Sequence, residues 1–343
     1  MRTVSTTLSR KDFYIALYNI KLVCRNNSIQ LKVVITMNKI FDIFIKQVSQ
    51  NEEIYARGIE EEIETLISVA HKKGIKIVEI EKMLKSQRGA LYDWKRNGSI
   101  PFSKLKQFNE IFSKITGDNA KEDVLIGLRF SRKNLQIPEL NADLCYLVGY
   151  IYGDGTLSSY KTSPRIELYD SNKTFLRYIA SLIQRLFNVR DCKIIKDKRK
   201  NCYRLRINHR LLLLFFNKVF EVPIGRKKGK LHIPHIIKHS KYIKDFICGF
   251  YDAEGHFYHN PKYGYRISLS QNDKSILEEI KAVLKSFGIK ATKIRENRKG
   301  CYELIIGRKK EFIKFVIIFA SRHPDKIRRI KLAIDGKSTV ENS

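Results

Sequence analysis

The apolar residues between positions 59 and 116 recur every three or four positions, in four short blocks. Ile63, Leu66, Ile67 and Ala70 form the first block, and the breaks between blocks contain glycine, serine or proline. A period near 3.6 residues with such breaks predicts short amphipathic helices around one apolar core. The pattern therefore predicts an all-α domain over residues 51–116.

Two of these helices are separated by a tight break at Ser86–Gln87, and the second of them is polar and basic. This arrangement resembles the helix-turn-helix of phage repressors, in which the second helix enters the major groove of DNA. The resemblance implies that DNA is contacted by Arg88, Tyr92, Lys95 and Arg96. A plain helical adaptor is the alternative interpretation.

The pattern changes after residue 137 and then repeats. Arg165-Ile166-Glu167-Leu168 returns as Arg266-Ile267-Ser268-Leu269, and Asn201-Cys202-Tyr203 returns as Gly300-Cys301-Tyr302, each roughly 100 residues later. Each copy reads as helix, two strands, helix, two strands and helix. We therefore predict an α+β fold of two pseudo-symmetric αββαββα halves, preceded by the all-α domain. The predicted segments are a basic N-terminal extension (1–50), the helix-turn-helix domain (51–116), a linker (117–136), the first repeat (137–240), the second repeat (241–335) and a tail (336–343).

The charge of the chain indicates a polyanionic partner. Lysine and arginine number 66 against 35 aspartate and glutamate residues, which gives a formal net charge of +31. A nucleic acid suits this excess, because each neutralised phosphate releases counterions. A membrane surface is the rival polyanion, but no apolar run reaches the ~18 residues of a membrane-spanning helix. We expect a double-stranded DNA partner, no membrane partner, and a cytoplasmic, nucleoid-associated protein of a prokaryote or archaeon.

The six cysteines and eight histidines do not predict a metal centre. No Cys-x-x-Cys pair occurs, so a zinc ribbon is unsupported. His232, His235 and His239 lie close together in sequence, but no cysteine or histidine accompanies them at ligand spacing. Cysteines scattered through apolar stretches are typical of a reduced cytosolic protein.

Each repeat opens with an apolar helix that ends in an acid followed by glycine, namely Gly153-Asp154-Gly155 and Ala253-Glu254-Gly255. Small residues four positions apart on each helix allow two helix backbones to approach closely. An acid at a helix C-terminus costs roughly 0.3–1 kcal/mol, so two acids at matching positions indicate a compensating function. Bound Mg²⁺ supplies one, because it needs only one or two carboxylates plus phosphate oxygens and water. The alternative is that both acids are only helix-stop residues.

Residues 147–155 and 247–255 resemble the LAGLIDADG motif of homing endonucleases. The resemblance covers about residues 137–335, where the repeat and the order of elements agree. It implies a two-motif, single-chain, site-specific DNA endonuclease that is active as a monomer. In this family each acid serves one strand, so Asp154 and Glu254 would bind Mg²⁺, with Mn²⁺ as a substitute, and drive metal-assisted phosphodiester hydrolysis.

The resemblance also implies supporting catalytic residues. Relatives carry a water-positioning polar residue at the end of the second strand of each copy, which here is Asp170 in the first copy and Gln271 in the second. Asp170 departs from the more usual amide. Relatives also place a basic residue near the scissile phosphate, and Lys227 or Lys228 fits that role here.

The eight predicted strands would form two sheets over the duplex, with every second side chain facing base edges in the major groove. The candidates for DNA contact in the strands and the basic loop are Arg165, Lys196, Lys198, Arg204, Arg206, Arg226, Lys293 and Arg295.

Two alternative functions use the same fold. One is a non-cleaving DNA-binding transcription regulator, and the other is an RNA maturase that assists intron splicing, for which RNA is the partner. An intein is disfavoured, because the chain lacks a leading cysteine or serine. Met37 is an alternative to Met1 as the true start.

Overall fold

The computed structural model describes most of the chain, including both repeats. The described residues are 21–25, 28–32, 39–49, 53–120, 124–128, 131, 133–160, 163–197, 201–260, 264–298 and 300–335. The proposed start at Met37, the DNA-contact candidate Lys198 and the tail 336–343 lie outside these residues.

The first described elements are a hairpin and a helix. Strands β1 (Lys21–Arg25) and β2 (Ser28–Lys32) pair antiparallel, and helix α1 (Lys39–Val48) follows. The Phe44 ring of α1 is buried edge-on against Phe215, at 5.5 Å between centroids. Part of the predicted basic extension therefore belongs to the core of the first repeat.

The four helices predicted between residues 59 and 116 are confirmed. They are α2 (Glu60–Lys72), α3 (Ile77–Met83), α4 (Ala90–Asn97) and α5 (Phe102–Thr116). The buried Glu81 carboxylate of α3 accepts hydrogen bonds from the backbone N–H groups of Gly89 (3.0 Å) and Leu91 (3.1 Å). These bonds satisfy N–H groups at the start of α4 and fix the angle of the tight turn between the two helices.

The structure corrects the prediction that this region is all-helical. Four short strands are also present, β3 (Ile54–Arg57), β4 (Ser99–Pro101), β5 (Leu125–Leu128) and β6 (Asn134–Leu135). They form an antiparallel sheet in the order β4-β3-β5-β6. Both β5 and β6 lie in the predicted linker 117–136, so that prediction is corrected as well. Strands of two to four residues are too short for apolar alternation to be recognised.

The first repeat has the predicted order of elements. It consists of α6 (Ala142–Asp154), β7 (Gly155–Tyr160), β8 (Ser163–Asp170), α7 (Lys173–Phe187), β9 (Cys192–Asp197), β10 (Cys202–Ile207) and α8 (Arg210–Val219). Its antiparallel sheet has the order β7-β8-β10-β9. The Asn172 side chain accepts from Phe175 N–H and so caps α7.

The second repeat matches the first, after the short helix α9 (His235–Lys238). It consists of α10 (Ile243–Glu254), β11 (Gly255–Asn260), β12 (Gly264–Gln271), α11 (Lys274–Ser286), β13 (Arg295–Arg298), β14 (Cys301–Ile306) and α12 (Lys309–Ile318). Its sheet order, β11-β12-β14-β13, reproduces that of the first. Asp273 caps α11, as Asn172 caps α7. The predicted α+β fold of two αββαββα halves is confirmed.

A further helix, α13 (Pro324–Ile334), follows the second repeat and is absent from the sequence prediction. His323 caps it by accepting from Asp325 N–H at 3.2 Å, and Pro324 occupies its first turn. The buried Asp252 holds the turn before α13, since it accepts from Arg322 N–H at 2.8 Å. This helix proves to be part of the site described below.

Helices α6 and α10 pack against each other along their length and join the two repeats. A Cβ atom at Gly149 would collide with the Phe246 carbonyl oxygen, and one at Gly249 would collide with the Tyr146 carbonyl oxygen. Only glycine therefore allows the backbones to approach this closely, as the spacing of small residues predicted. At the other end, Arg322 donates to Asp143 in the first turn of α6 at 2.6 Å and lies 4.2 Å from the Tyr146 ring.

Candidate active site at the ends of the paired helices

The last turns of α6 and α10 lie against each other and place two acids side by side. A Cβ atom at Gly153 would collide with Ala253 Cβ and would lie 2.9 Å from Glu254 Cγ. Asp154 is the last residue of α6, and Glu254 is the last residue of α10. The close approach that the glycines permit thus brings the two acids predicted from sequence into one site.

The environment of these acids opposes their ionisation. Burial, followed by the charges of Glu254 and Asp170, raises the pKa of Asp154 from 3.8 to about 8. Burial also raises the pKa of Glu254, although Lys227, Gln271 and Lys326 partly offset it. A desolvated acid beside another acid favours its protonated form. Ionisation of both acids at once is therefore unfavourable in this site.

Two half-buried lysines flank the acids in pseudo-symmetric positions. Lys227 Nζ donates to the carbonyl oxygens of Ile151, Tyr152 and Gly153 at 2.7–2.9 Å, at the end of α6. Lys326 Nζ, on α13, donates to the carbonyl oxygens of Tyr251 and Asp252, at the end of α10. Each ammonium therefore satisfies carbonyl groups that a helix C-terminus leaves unpaired.

Burial lowers the pKa of both lysines to about 8, against the attraction of nearby carboxylates. Glu254 is the carboxylate that most strongly favours the charged form of Lys227. For Lys326 the carboxylates are Asp252, then Asp154 and Asp170. Each lysine thus caps the helix of its own repeat and also lies within the electrostatic reach of the acids.

The residues at the ends of β8 and β12 reach the site in different ways. Gln271 Nε2 donates to Glu254 Oε1 at 2.9 Å. Asp170 influences Asp154 through its charge, and its carboxylate accepts hydrogen bonds from Tyr150, His323 and Asn172 N–H. The two repeats therefore differ at this position in structure as well as in sequence.

Two open clefts meet at Asp154. One, of about 440 Å³, is lined by Asp154, Lys227, Lys228, Glu254 and Gln271 together with backbone of the basic loop. The other, of about 350 Å³, is lined by Asp154, Asp170, His323 and Lys326 among others. Each cleft is lined by one strand-end residue, one of the two half-buried lysines and at least one of the two acids.

The donor set of the site fits a hard divalent cation that is shared with a substrate. A cation between Asp154 and Glu254 would relieve the repulsion that raises the pKa of Asp154. Within the described parts of the chain, no three His, Cys, Asp or Glu side chains are arranged to hold a metal ion by themselves. Phosphate oxygens and water would therefore complete the shell, which is the usual coordination of Mg²⁺.

The remaining basic-loop candidates lie at the rim of the larger cleft. Lys227 is half-buried, whereas Lys228 and Arg226 are exposed. The Lys228 ammonium lies near Gly300 in the β13–β14 hairpin of the other repeat. Lys227 is thus the loop residue next to the acids, and Lys228 and Arg226 face solvent.

The register of the first sheet decides which basic side chains share its outer face. Leu205 and Ile207 are buried, so Arg204 and Arg206 point to the opposite face. Across the sheet, Ser158 pairs with Arg165 and Arg206 with Lys193. The outer face therefore carries Arg165, Arg204 and Arg206, as predicted, and also Lys193.

Lys196 is the exception among the candidates in this sheet. It pairs with Tyr203, whose side chain points to the face opposite Arg204 and Arg206. Its placement on the outer face is therefore corrected. Lys196 and Lys193 lie on opposite faces because they are three positions apart and side chains alternate along a strand.

In the second sheet Arg295 pairs with Glu303 on the outer face, and Lys293 is exposed just before β13. Arg266 lies on the same face and donates to Glu303 at 2.9 Å. In the first sheet, Arg206 donates in the same way to Glu167 at 2.8 Å. Both glutamates are buried in the outer face, so each fixes the direction of an arginine.

The four candidates of the helix-turn-helix region lie on or next to α4. Tyr92 is 51% exposed, and Arg88 is exposed just before the helix. Lys95 pairs with Glu64 at 2.9 Å, and Arg96 pairs with Asp93 at 2.6 Å. Such exposed ion pairs are worth at most about 1 kcal/mol, so a phosphate can compete for both basic groups.

Sequence reasoning missed Lys326, His323, Lys193 and Arg266. A signal for Lys326 was present, because it follows Lys227 by 99 residues, the offset that separates the Cys202 and Cys301 blocks of the repeat. No such signal marks His323, since its partner Asp170 lies 153 residues away in the other repeat.

Comparisons with known proteins give a consistent result. Residues 141–220 and 241–317 match the profile of the family described as LAGLIDADG-like domain. The replication factor C small subunit of Methanocaldococcus jannaschii is 26% identical over 199 residues, 56% of this chain, but the match spans only 10% of that relative. An uncharacterized protein of the same organism is 24% identical over 272 residues, which cover 77% of this chain and 81% of the relative.

Two kinds of solved structure are also similar. The homing endonuclease I-DmoI in complex with DNA and Mn is 27% identical, with a TM-score of 0.40 over 53% of this chain and 98% of that one. Full-length DUF199/WhiA from Thermatoga maritima is 17% identical, with a TM-score of 0.40 over 60% of this chain and 64% of that one. In the described part of the chain, no helix combines the length and the apolar character needed to cross a membrane.

Proposed function

We propose that this chain, which carries a LAGLIDADG-like domain in residues 141–220 and 241–317, is a site-specific DNA endonuclease that cuts both strands. The observation that carries the proposal is the convergence of Asp154 and Glu254, which lie side by side at the ends of α6 and α10, although partial burial and the neighbouring carboxylates raise the pKa of Asp154 to about 8. Groups with strongly perturbed pKa values in a cleft mark functional sites. Such a pair of acids does not stabilise the fold, so stability alone does not explain its presence.

Asp154 and Glu254 would hold the divalent metal, for which Mg²⁺ is the best fit and Mn²⁺ a substitute. When bound, the metal would activate a water molecule and stabilise the charge that develops on the phosphate. In the hydrolysis, the water oxygen would form a bond to phosphorus and lose a proton to solvent, and the leaving sugar oxygen would take up a proton from solvent as its bond to phosphorus breaks.

The side chains around the acids would supply binding and orientation. Gln271 keeps one oxygen of Glu254 fixed through its 2.9 Å hydrogen bond. Lys227 and Lys326 would bring two ammonium groups near the scissile phosphate, because their hydrogen bonds to the helix ends hold them beside the acids. Preorganised positive charge of this kind stabilises a developing oxyanion.

The outer faces of the two sheets would bind the duplex. Their arginines and lysines contribute to the formal net charge of +31, which suits a DNA partner. The buried Glu167 and Glu303 hold Arg206 and Arg266 in defined directions. An arginine fixed in this way can donate to guanine in the major groove. Because one chain supplies both acids and both sheets, we expect it to act as a monomer.

The helix pair α3–α4 would bind flanking DNA as a helix-turn-helix. The Glu81 carboxylate holds the start of α4, and the face of α4 presents Tyr92 and the basic groups of Lys95 and Arg96 to solvent. Contacts of this type lengthen the site that the protein recognises.

The test uses Asp154→Asn and Glu254→Gln, which keep the shape of each side chain and remove its charge. A target is first selected by cleavage of random DNA with Mg²⁺ present. We expect the double variant to lose cleavage of that target, by at least about a thousandfold, and to retain binding in a gel-shift assay. Full cleavage by the double variant would refute the proposal.

Wild-type protein that binds a selected target tightly but never cleaves it, with Mg²⁺ or Mn²⁺ present, would instead indicate a non-cleaving regulator. Selective binding of structured RNA over duplex DNA would indicate a maturase. Both results would overturn the nuclease function.

A further inference from the structure

The two halves of the site are built differently at the strand-end position. In the second repeat, Gln271 contacts its neighbouring acid directly, through the hydrogen bond from Nε2 to Glu254 Oε1. In the first repeat, the corresponding residue is Asp170, which lines a cleft with Asp154. The charge of its carboxylate contributes to the raised pKa of Asp154. A carboxylate cannot donate a hydrogen bond to an ionised acid, so Asp170 cannot copy what Gln271 does.

Three donors instead fix the Asp170 carboxylate. Tyr150 OH donates at 3.0 Å, Asn172 N–H at 2.6 Å, and His323 Nε2 at 3.2 Å. The side chains of Asp170 and His323 are each only 7% exposed. Three hydrogen bonds to one buried carboxylate leave it little freedom to rotate, so its remaining lone pairs point in a defined direction.

Contacts with Asp170, Asp325 and Phe175 fix the orientation of the His323 imidazole. Its Nδ1 accepts from Asp325 N–H at 3.2 Å, which leaves Nε2 as the nitrogen that donates to Asp170. The imidazole packs on Phe175, with 4.3 Å between ring centroids. The adjacent Asp325 accepts from Asn172 Nδ2 at 2.9 Å. The start of α13, which follows the second repeat in the chain, is thus fixed against the first repeat.

We propose that Asp170 and His323 form a positioning pair that serves only the Asp154 half of the site, and that Gln271 alone serves the Glu254 half. The inference rests on the proposed endonuclease function. Asp170 would orient a water molecule in the Asp154 cleft by accepting a hydrogen bond from it, and His323 would hold Asp170 in the orientation that does so. The two DNA strands are then cut by unequal half-sites, and each half-site can be impaired separately.

The pairing also explains the position of α13. Lys326 and His323 lie one turn apart on the same helix start, and both point into the cleft that contains Asp154 and Asp170. The buried Asp252 anchors the turn before this helix through Ser321 Oγ and Arg322 N–H. One anchored helix start therefore places both the lysine and the imidazole at the same cleft, where the lysine also caps the end of α10.

The test measures the cleavage rate of each strand separately, with a selected target labelled on either 5′ end. His323→Asn removes the imidazole donor, while asparagine retains the ability to cap α13. We expect this variant to cut one strand roughly tenfold or more slowly, with the other strand changed less than about twofold. Gln271→Ala should slow the opposite strand. Tm measurements establish that both variants are folded.

The matched control is His239→Asn, which makes the same substitution at an exposed histidine whose ring packs against His235. It should cut both strands at the wild-type rates. Equal slowing of both strands by His323→Asn, or no slowing of either, would overturn the positioning pair while leaving the nuclease function intact. Failure of the wild-type protein to cut any selected DNA would remove the endonuclease function and this inference together.

Discussion

At the scale of single residues, Asp154 is an acid whose environment opposes its ionisation. Burial and the neighbouring carboxylates raise its pKa from 3.8 to about 8. In the metal-free protein, the folded state therefore keeps a proton on Asp154 over the pH range in which the unfolded chain has lost it. Stability must fall as pH rises through this window, because the folded state binds more protons than the unfolded state.

We predict a change in the pH dependence of the free energy of unfolding for Asp154→Asn, measured by chemical denaturation in the presence of a chelator. Asparagine cannot ionise, so the variant lacks the loss of stability that Asp154 causes as the pH rises. We expect it to match wild type near pH 4 and to be more stable by about 1–3 kcal/mol near pH 8. Saturating Mg²⁺ should reduce the difference, because it stabilises the ionised wild-type carboxylate.

The control is Asp118→Asn, at an exposed acid outside the site, which should leave the pH dependence unchanged. A wild-type curve that rises between pH 4 and pH 8 relative to the Asp154→Asn curve would contradict the assignment of Asp154 as a strained acid.

The two acids could be predicted from sequence because they stand in a recognisable local pattern, a run of small residues and a helix stop. Lys227 could be predicted as one of two loop lysines, but its choice over Lys228 required the structure, which ties Lys227 to the end of α6 and leaves Lys228 exposed. His323 and Lys326 could not be assigned, since their roles depend on contacts with Asp170 and with the end of α10 across the repeat boundary.

At the scale of elements, the packing of α6 on α10 decides whether the site exists. Gly149 and Gly249 each face a carbonyl oxygen of the opposite helix, at distances that leave no space for a methyl group. Close packing of backbones also brings Gly153 against Ala253, and so brings Asp154 beside Glu254. Separation of the helices by the width of a methyl group would affect both the core and the metal-binding acids.

We therefore predict that Gly249→Ala destabilises the protein by at least about 2–3 kcal/mol, because backbone atoms on both helices must shift. Urea denaturation measures the change. Gly307→Ala is the control, since a Cβ atom there meets only Ile305 Cγ2, at 3.9 Å. It should change stability by less than about 0.5 kcal/mol. A Gly249→Ala protein as stable as wild type would show that the helix pair is looser than described.

The longer elements of the repeats were predictable because each spans several turns or alternations and occurs twice. The strands β3 to β6 were not, since they are two to four residues long and pair across up to 74 residues, as Ile54 does with Leu128. The helix α13 was missed for a different reason. The predicted order of elements ends with the last helix of the second repeat, so no element was predicted for residues 324–334, although Pro324 in the first turn is a helix-start signal.

At the scale of the whole molecule, two similar halves surround one site and the extra segments are unequal. Helix α1 covers the first repeat through Phe44 and Phe215, α13 links the second repeat back to the first, and the domain before the repeats carries the α3–α4 pair. A molecule with this arrangement should bind DNA asymmetrically, with a longer footprint on the side of α4.

The domain that contains α4 then contributes affinity without taking part in the reaction. We predict that Arg88→Glu combined with Tyr92→Ala weakens binding of a selected target by roughly tenfold or more and shortens the nuclease-protection footprint on one flank. The cleavage positions and the rate at saturating protein should stay at wild-type values, because no contact from α4 reaches the cleft around Asp154 and Glu254 among the described residues.

Lys106→Glu, on the neighbouring helix α5, carries a comparable charge reversal outside the proposed recognition helix and should leave both ends of the footprint in place. If the double variant retained the full footprint, α3–α4 would be a helical adaptor. If it changed the cleavage positions instead, α4 would lie close enough to the scissile phosphates to set the register of the repeats on DNA, and the division between a binding domain and a cleaving domain would be wrong.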